Sequence, residues 1–253
     1  MKLPRQSRPA SAFTMVEIAI SLAIIGFALV AIIGILPAGL TVQKENREET
    51  IINQDANYLM YAIRSGLRAS NELPWFFERI VVSNEFAGTD LVWNNNNLLA
   101  RPELVLGLLS TPTERIHNGN RWFTTNLVYA NVRAISGAAV EKPPQADSGI
   151  QDLAFAYRLT VQVVPYTGFD TNSTNWTATS TPFYTNWLAA RAMETNLYEV
   201  SLRFQWPLLP NGGVGPGRQT YRTLIGGTLM PTNITGVSQK LYFFNPRTYA
   251  NLR

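Results

Sequence analysis

The chain has 253 residues, of which 46% are hydrophobic and 15% are charged. This length and apolar content allow a buried core, which excludes a disordered protein. The absence of cysteine excludes disulfide frameworks, CxxC redox sites and thiolate metal sites. The net charge of +4 does not indicate a nucleic-acid binder, because three cations lie in residues 1–12 and no run of Lys or Arg follows residue 75. We therefore expect no nucleic-acid partner.

The first forty residues have the pattern of a single membrane span. Residues 1–12 are basic and polar, and residues 18–40 contain no charged side chain. As a helix, residues 18–40 would extend about 34 Å, which exceeds a hydrocarbon thickness of about 30 Å. Because positive charges precede the span, residues 1–12 are predicted to face the cytoplasm and the residues beyond 41 to lie outside the membrane.

Glu17 lies next to this apolar run, where a charge is costly. An acid at the centre of a membrane helix costs about 2.5–3.5 kcal/mol, so such groups usually have a function. The alternative is that Glu17 is interfacial and helps to start the helix, because acids are favoured in a first turn. A conventional secretory signal fits poorly, since its apolar region is shorter and its small residues follow that region, whereas here Ser11 and Ala12 precede it.

Residues 11–17, with the sequence SAFTMVE, and the apolar run after them resemble the N-terminal signal of type IV pilins and type II secretion pseudopilins. The resemblance extends from Ala12 to Leu40, and the N-terminal third is also similar to pilin-type cassette proteins of Verrucomicrobia. It implies that prepilin peptidase cleaves between Ala12 and Phe13 and that Phe13 becomes the methylated N-terminus. It also implies that Glu17 neutralises the terminal amine of a neighbouring subunit. The family usually has Gly where this chain has Ala12.

The resemblance implies a structural role. The expected function is that of a minor pilin or pseudopilin-like subunit of a type IV pilus or a type II secretion filament. The expected partners are prepilin peptidase, other pilin or pseudopilin subunits, the inner-membrane assembly platform and the lipid bilayer. The chain would lie in the bacterial inner membrane with an extracytoplasmic C-terminal head, and would assemble into a periplasmic or cell-surface filament. No cofactor is expected.

Gly26, Gly34 and Pro37 interrupt the apolar run. Small residues allow close approach of helices, and proline removes a backbone hydrogen bond and bends a helix. These residues are candidates for helix packing and for a kink in a filament. The alternative is that glycine and proline are simply more frequent in membrane helices than in soluble ones.

Residues 41–73 are predicted to continue the helix beyond the membrane as an amphipathic segment. An apolar stripe recurs at spacings of three and four residues, and the charged residues, including Asp55, are placed largely off it. The stripe consists of Ile52, Ala56, Leu59, Met60, Ile63 and Leu67. The helix is expected to run to Ser70, with Asn71 and Pro74 as stop signals, and to pack under a head domain.

Residues 74–253 are predicted to form a β-rich head. Residues 153–164 and 197–206 alternate apolar and polar side chains with the period of two that indicates strands with one buried face. Further strands are predicted at 122–132, 219–230 and 241–244, and a loop at 166–187. The expected fold class is α+β, a pilin-like arrangement in which a long N-terminal helix packs on an antiparallel sheet.

The sequence of the head contains no pattern typical of a catalytic centre, so we expect that the protein is not an enzyme. His117 is the only histidine, and its neighbours are typical of a polar turn. Residues 212–219 imitate a phosphate-binding loop, but Arg218 stands where that motif has Lys, and the segment joins two predicted strands. Asp170, with Asn172 and Asn175, offers oxygens to calcium, but one carboxylate is too few for an ion that needs about 6–8 oxygens, so no metal site is predicted.

One alternative from another class stays open. The chain can be a signal-anchored extracytoplasmic module whose β-rich head binds a ligand. That reading requires an uncleaved N-terminus and gives Glu17 no role in assembly. An extracytoplasmic enzyme is disfavoured, because the sequence shows neither a nucleophile–base pair nor a metal cluster.

Overall fold

The computed structural model describes residues 13–136, 155–166 and 182–251. The chain divides into two compact units, Met1–Glu49 and Thr50–Arg253. The helices are α1 (Met15–Ser65), α2 (Asn95–Ala100), α3 (Glu103–Leu109) and α4 (Pro182–Asn196), with a short 3-10 helix at Leu73–Phe76. The strands are β1 (Phe77–Asn84), β2 (Thr89–Asn94), β3 (Glu114–Asn118), β4 (Arg121–Thr125), β5 (Leu127–Arg133), β6 (Ala156–Pro165), β7 (Leu197–Leu208), β8 (Val214–Gly226), β9 (Thr228–Thr232) and β10 (Leu241–Asn245).

The first unit consists, in its described part, of the N-terminal portion of α1. The helix begins at Met15 and continues through Pro37. The carbonyl of Pro37 accepts a hydrogen bond from Thr41 Oγ1 at 3.0 Å. Every residue from 13 to 47 is exposed, so this portion of the helix has no buried side chain.

The second unit is built on a six-stranded sheet with the order β2-β1-β5-β6-β7-β8. Every neighbouring pair is antiparallel. Successive side chains of a strand point to opposite faces, and in β6 and β7 alternate residues are buried. The buried ones are Tyr157, Leu159, Val161, Val163, Val200, Leu202, Phe204 and Trp206. The strands predicted at 153–164 and 197–206 are confirmed, except that residues 153 and 154 lie outside the described residues. The buried side chains define the inner face of the sheet.

The portion of α1 that belongs to the second unit contributes to the same core. Ile52, Ala56 and Leu59 are completely buried and Ile63 is almost so, and all four join the core cluster of the sheet. Their spacing of three or four residues places them on one side of the helix. The observed fold class is therefore α+β, with a long N-terminal helix and an antiparallel sheet, which confirms the prediction and is compatible with a pilin-like fold.

A second apolar layer comes from α3, which the sequence analysis did not identify. Its residues from Leu104 to Leu109 are all buried. A Cβ atom on Gly107 would lie only 2.8 Å from the Cβ of Leu241, so a glycine here lets α3 approach β10 closely. This contact extends the core beyond the main sheet.

The end of α1 differs from the prediction. The helix ends at Ser65, five residues before the expected Ser70, and Leu67 of the predicted stripe is exposed. Gly66 adopts a φ of 67°, a left-handed conformation that suits glycine after a helix. Its N–H donates to the carbonyl of Ile63 at 3.2 Å. The stop signal is therefore this glycine and not Asn71.

Positive-φ residues also divide two of the predicted strands. The segment 122–132 is split between β4 and β5 at Asn126, which has a φ of 53°. The segment 219–230 belongs to β8 and β9, separated by Gly227 with a φ of 124°. Residues 182–187, assigned to the loop 166–187, instead begin α4. The short strand predicted at 241–244 is confirmed as β10.

Candidate functional site

Side-chain hydrogen bonds between Thr14 and Glu17 cap the N-terminus of α1. Thr14 stands immediately before the helix, and its backbone N–H and hydroxyl donate to Glu17 Oε2 at 2.8 and 2.9 Å. The N–H of Glu17 donates in return to Thr14 Oγ1 at 3.3 Å. This is a capping box, in which a Thr and a Glu three residues later satisfy backbone donors that the first turn leaves without partners. The geometry therefore supports the role of Glu17 in starting the helix.

The capping box leaves part of the Glu17 carboxylate available. All of its bonds to Thr14 use Oε2, and the side chain is exposed. Within the described residues, Oε1 accepts no hydrogen bond. Glu17 can therefore cap its own helix through one oxygen and accept a cation from another molecule through the other.

An uninterrupted apolar surface follows Glu17. Seventeen large apolar side chains between Phe13 and Val42 are exposed, with Phe13 and Phe27 at 82% and 79%. In the described part of the chain, α1 is the one helix long and apolar enough to cross a membrane. Burying each such side chain is worth about 1.5–3 kcal/mol, so this surface requires lipid or neighbouring chains around it.

The predicted packing residues lie within this surface. A Cβ atom on Gly26 or Gly34 would meet no other atom within 4 Å, so neither glycine is needed for a contact inside the monomer. Pro37 lies inside the helix, which continues beyond it. All three residues are open to contact with another molecule, and their part in packing or kinking stays a prediction.

Asp55 was predicted to lie off the apolar stripe of α1, and the structure corrects this, because its side chain is buried in the head. It lies on α1 but is completely buried, and it accepts four hydrogen bonds. The N–H groups of Ile135 and Ser136 donate at 2.9 and 2.8 Å, and the hydroxyls of Tyr157 and Ser136 donate at 2.9 and 2.5 Å. Burial raises the pKa of Asp55 above its ordinary value, although these bonds act in the opposite direction. Burial, with the nearby Asp55 charge, raises the pKa of Tyr157 well above its ordinary value.

This cluster fixes α1 against the sheet. Asp55 ties the helix to β6 through Tyr157 and to the residues after β5 through Ile135 and Ser136. A carboxylate on a predicted helix is usually placed on the wet side, and only its contacts with distant residues show otherwise. The cluster is structural, since its oxygens are all engaged within the head.

The other predicted site residues lie apart from these two clusters. His117 is in β3 and not in a turn, and its ring centre lies 4.7 Å from that of Trp122. Ala12, Asp170, Asn172 and Asn175 fall outside the described residues. Within the described residues, no group of three or more His, Asp or Glu side chains is placed to hold a metal ion.

A groove of about 370 Å³ lies on the outer face of the sheet. Arg79, Asn131, Arg158 and Gln205 contribute to its lining, together with Tyr129. The guanidinium carbon of Arg158 lies 5.9 Å from the centre of the Tyr129 ring, and its Nη2 donates to the carbonyl of Gly212 at 2.7 Å. No local sequence pattern indicates this site, because its residues come from four different strands.

Comparison of the chain with protein-family models, curated proteins and solved structures gives no match. Function is therefore inferred from the residues and their geometry.

Proposed function

We propose that this protein is a minor pilin or pseudopilin-like structural subunit of a type IV pilus or a type II secretion filament. Prepilin peptidase cleaves it between Ala12 and Phe13, and the mature chain assembles through α1. One observation carries the proposal: the helix begins two residues after the proposed cut, with a capping carboxylate at Glu17, and continues as a surface that is apolar on every side.

The position of Glu17 suits a charge pair between subunits. Cleavage before Phe13 would create a cationic α-amine at the start of the exposed helix. In apolar surroundings a lone carboxylate is costly, whereas a carboxylate paired with a cation is tolerated. The amine of one subunit would reach the Oε1 atom that the capping box of its neighbour leaves available, so the capping and assembly roles of Glu17 are compatible.

The exposed apolar surface accounts for the proposed partners. Before assembly the bilayer covers this surface, and after assembly neighbouring subunits cover it. Gly26 and Gly34 would then allow helices to approach, since both positions are open in the monomer. The inner-membrane assembly platform transfers the subunit from the first environment to the second.

Processing tests this proposal most directly. The full chain is expressed in bacterial membranes with and without prepilin peptidase, and the N-terminus is identified by mass spectrometry. With the peptidase we expect a methylated chain that begins at Phe13, and without it the intact chain. The variant Ala12→Gly restores the residue usual in the family and is expected to be cleaved at least as completely. A leader that stays attached, or a mature chain that begins elsewhere, would contradict the proposal.

The second candidate is a signal-anchored extracytoplasmic ligand-binding module. The groove on the outer face of the sheet favours it, because polar and cationic side chains converge there on a concave surface. This candidate predicts an intact N-terminus in the same experiment, so the two functions give opposite results.

A further inference from the structure

The outer face of the sheet carries a row of polar residues that crosses five strands. Arg79 of β1 is paired with Asn131 of β5, and Asn131 is paired with Arg158 of β6. Arg158 is in turn paired with Gln205 of β7, and Gln205 with Arg218 of β8. We call these five residues the arginine row. Arginine occupies every second strand of the row, and an amide side chain occupies each strand between.

The spacing of the row follows from sheet geometry. Neighbouring strands lie about 4.8 Å apart, so each arginine begins about 10 Å from the next along a line perpendicular to the strands. The residues on either side of Asn131, Arg158 and Gln205 in their own strands are buried in the core; they are Ala130, Val132, Tyr157, Leu159, Phe204 and Trp206. The row therefore lies on the side of the sheet away from the core, and all of its members except Arg218 line the groove.

The arginine row is positively charged and is not neutralised by acids of the described residues. Within the described residues, no Asp or Glu oxygen lies within ion-pair distance of Arg79, Arg158 or Arg218. The acid on the outer face of β7, Glu199, is instead 3.9 Å from Arg222. Arg203 lies two residues before Gln205 on the same face and adds a further positive charge beside the row.

We propose that the arginine row binds an acidic polysaccharide in which uronate sugars alternate with neutral sugars. Arginine offers a planar fork of donors that matches a carboxylate, and Asn131 and Gln205 both donate and accept hydrogen bonds, as sugar hydroxyls require. A sugar unit is about as long as the spacing between strands, so an alternating polymer lying across the strands presents a carboxylate at each arginine and a neutral sugar at each amide.

The surroundings of the row favour this ligand over single-stranded nucleic acid. Proteins that bind single strands stack the bases on open aromatic rings. The aromatic residue in the groove, Tyr129, is half-buried and has the Arg158 guanidinium over its ring. The proposal goes beyond filament assembly, because it uses only residues of the unit Thr50–Arg253 and needs neither processing nor Glu17.

A direct binding experiment tests the proposal on the full chain in detergent micelles. The probe is a fluorescently labelled hyaluronate oligomer of twelve sugars, which alternates uronate and neutral sugars, and binding is measured by anisotropy. We expect saturable binding that weakens as salt concentration rises. A neutral chitin oligomer of equal length is expected not to bind.

Variants of the row locate the site. Loss of a charge-assisted hydrogen bond weakens binding about tenfold, so Arg79→Gln, Arg158→Gln and Arg218→Gln are each expected to reduce affinity by about this factor. Arg222→Gln is the matched control, because it removes the same charge from the same strand and face but lies outside the row. Arg218→Lys keeps the charge without the fork and is expected to lose less affinity than Arg218→Gln.

Three results would overturn the proposal: no binding of the hyaluronate oligomer, an equal loss in Arg222→Gln, or tighter binding of a single-stranded DNA oligomer of equal charge. The last result would assign the row to nucleic acid. Circular dichroism confirms that each variant is folded. Arg158 is partly buried, whereas Arg79 and Arg218 are exposed. If Arg158→Gln does not fold, the variants of Arg79 and Arg218 decide the outcome.

Discussion

The two portions of α1 show how one helix is suited to two environments. Every residue from 13 to 47 is exposed, and most of them are apolar, so the helix surface in this portion is apolar on all sides. From Ile51 to Ile63, by contrast, the buried residues form a single stripe along the helix. A helix that is apolar all round needs lipid or neighbouring helices, and a helix with one apolar stripe needs one partner surface. The head sheet provides that surface for the second portion. The distribution of apolar side chains, and not helix formation itself, therefore separates the two environments.

Each portion also contains one acid that does not fit its apolar surroundings. Asp55 is buried and receives four hydrogen bonds from residues of the head. Glu17 is exposed, and within the described residues its carboxylate bonds only to Thr14. The fold therefore satisfies the carboxylate of Asp55, while Oε1 of Glu17 accepts no hydrogen bond from the described residues.

The largest expected effect concerns Glu17. In Glu17→Gln the residue still suits the third position of a capping box, because Gln occurs there as readily as Glu, but it cannot neutralise an amine. We expect processed protein with a folded head that fails to enter filaments, measured in the sheared filament fraction. Glu45→Gln, which removes an exposed acid from the same portion of α1, is the control and should assemble normally. Normal assembly of Glu17→Gln would contradict the charge pair between subunits and would show that Glu17 acts only as a helix cap.

The second prediction compares leucines in the two portions. Leu59 is completely buried in the head core, whereas Leu29 is 53% exposed. Leu59→Ala should lower the free energy of unfolding of the head by about 2–5 kcal/mol, because it removes buried contacts and leaves a cavity. Leu29→Ala should leave that free energy unchanged. Urea unfolding of the detergent-solubilised chain, followed by tryptophan fluorescence, measures both. A comparable loss in Leu29→Ala would show that the first portion also supports the head.

Where periodicity is long and local, the sequence predicted the structure well. The apolar run, the buried stripe of α1 and the alternation in β6 and β7 depend on neighbouring residues, so the fold class followed from them. The end of α1 was predicted too late because apolar spacing continued to Leu67, while the left-handed Gly66 determined the stop. The short helices α2 and α3 were missed, since a helix of six or seven residues is too short to show an amphipathic period.

Sites made by distant residues were not predictable in the same way. The partners of Asp55 lie 80 or more positions away, and no local pattern indicates that its carboxylate is buried. The arginine row draws one residue from each of five strands, so a search for runs of basic residues does not find it. By contrast, the capping box of Thr14 and Glu17 is local, and the helix-starting role of Glu17 could be expected from the sequence.

The smallest expected effect comes from Asp55→Asn and is clearest in its pH dependence. An amide NH2 group accepts no hydrogen bond, whereas the carboxyl oxygen that it replaces keeps acceptor capacity even when protonated. At least one buried donor is therefore left unsatisfied, and we expect a loss of about 1–3 kcal/mol in the free energy of unfolding. Burial raises the pKa of Asp55 in the folded head above its ordinary 3.8. The folded state therefore disfavours the ionised form, and the contribution of Asp55 to stability is greatest below pH 3.8 and declines as the pH rises through the raised pKa.

Urea unfolding of the wild type and of Asp55→Asn across this pH range measures the difference in the free energy of unfolding. Asn57→Asp, which adds an exposed acid on the same helix, controls for general charge effects. If the stability advantage of the wild type over Asp55→Asn grew with rising pH, the hydrogen bonds, and not burial, would dominate the environment of this carboxyl.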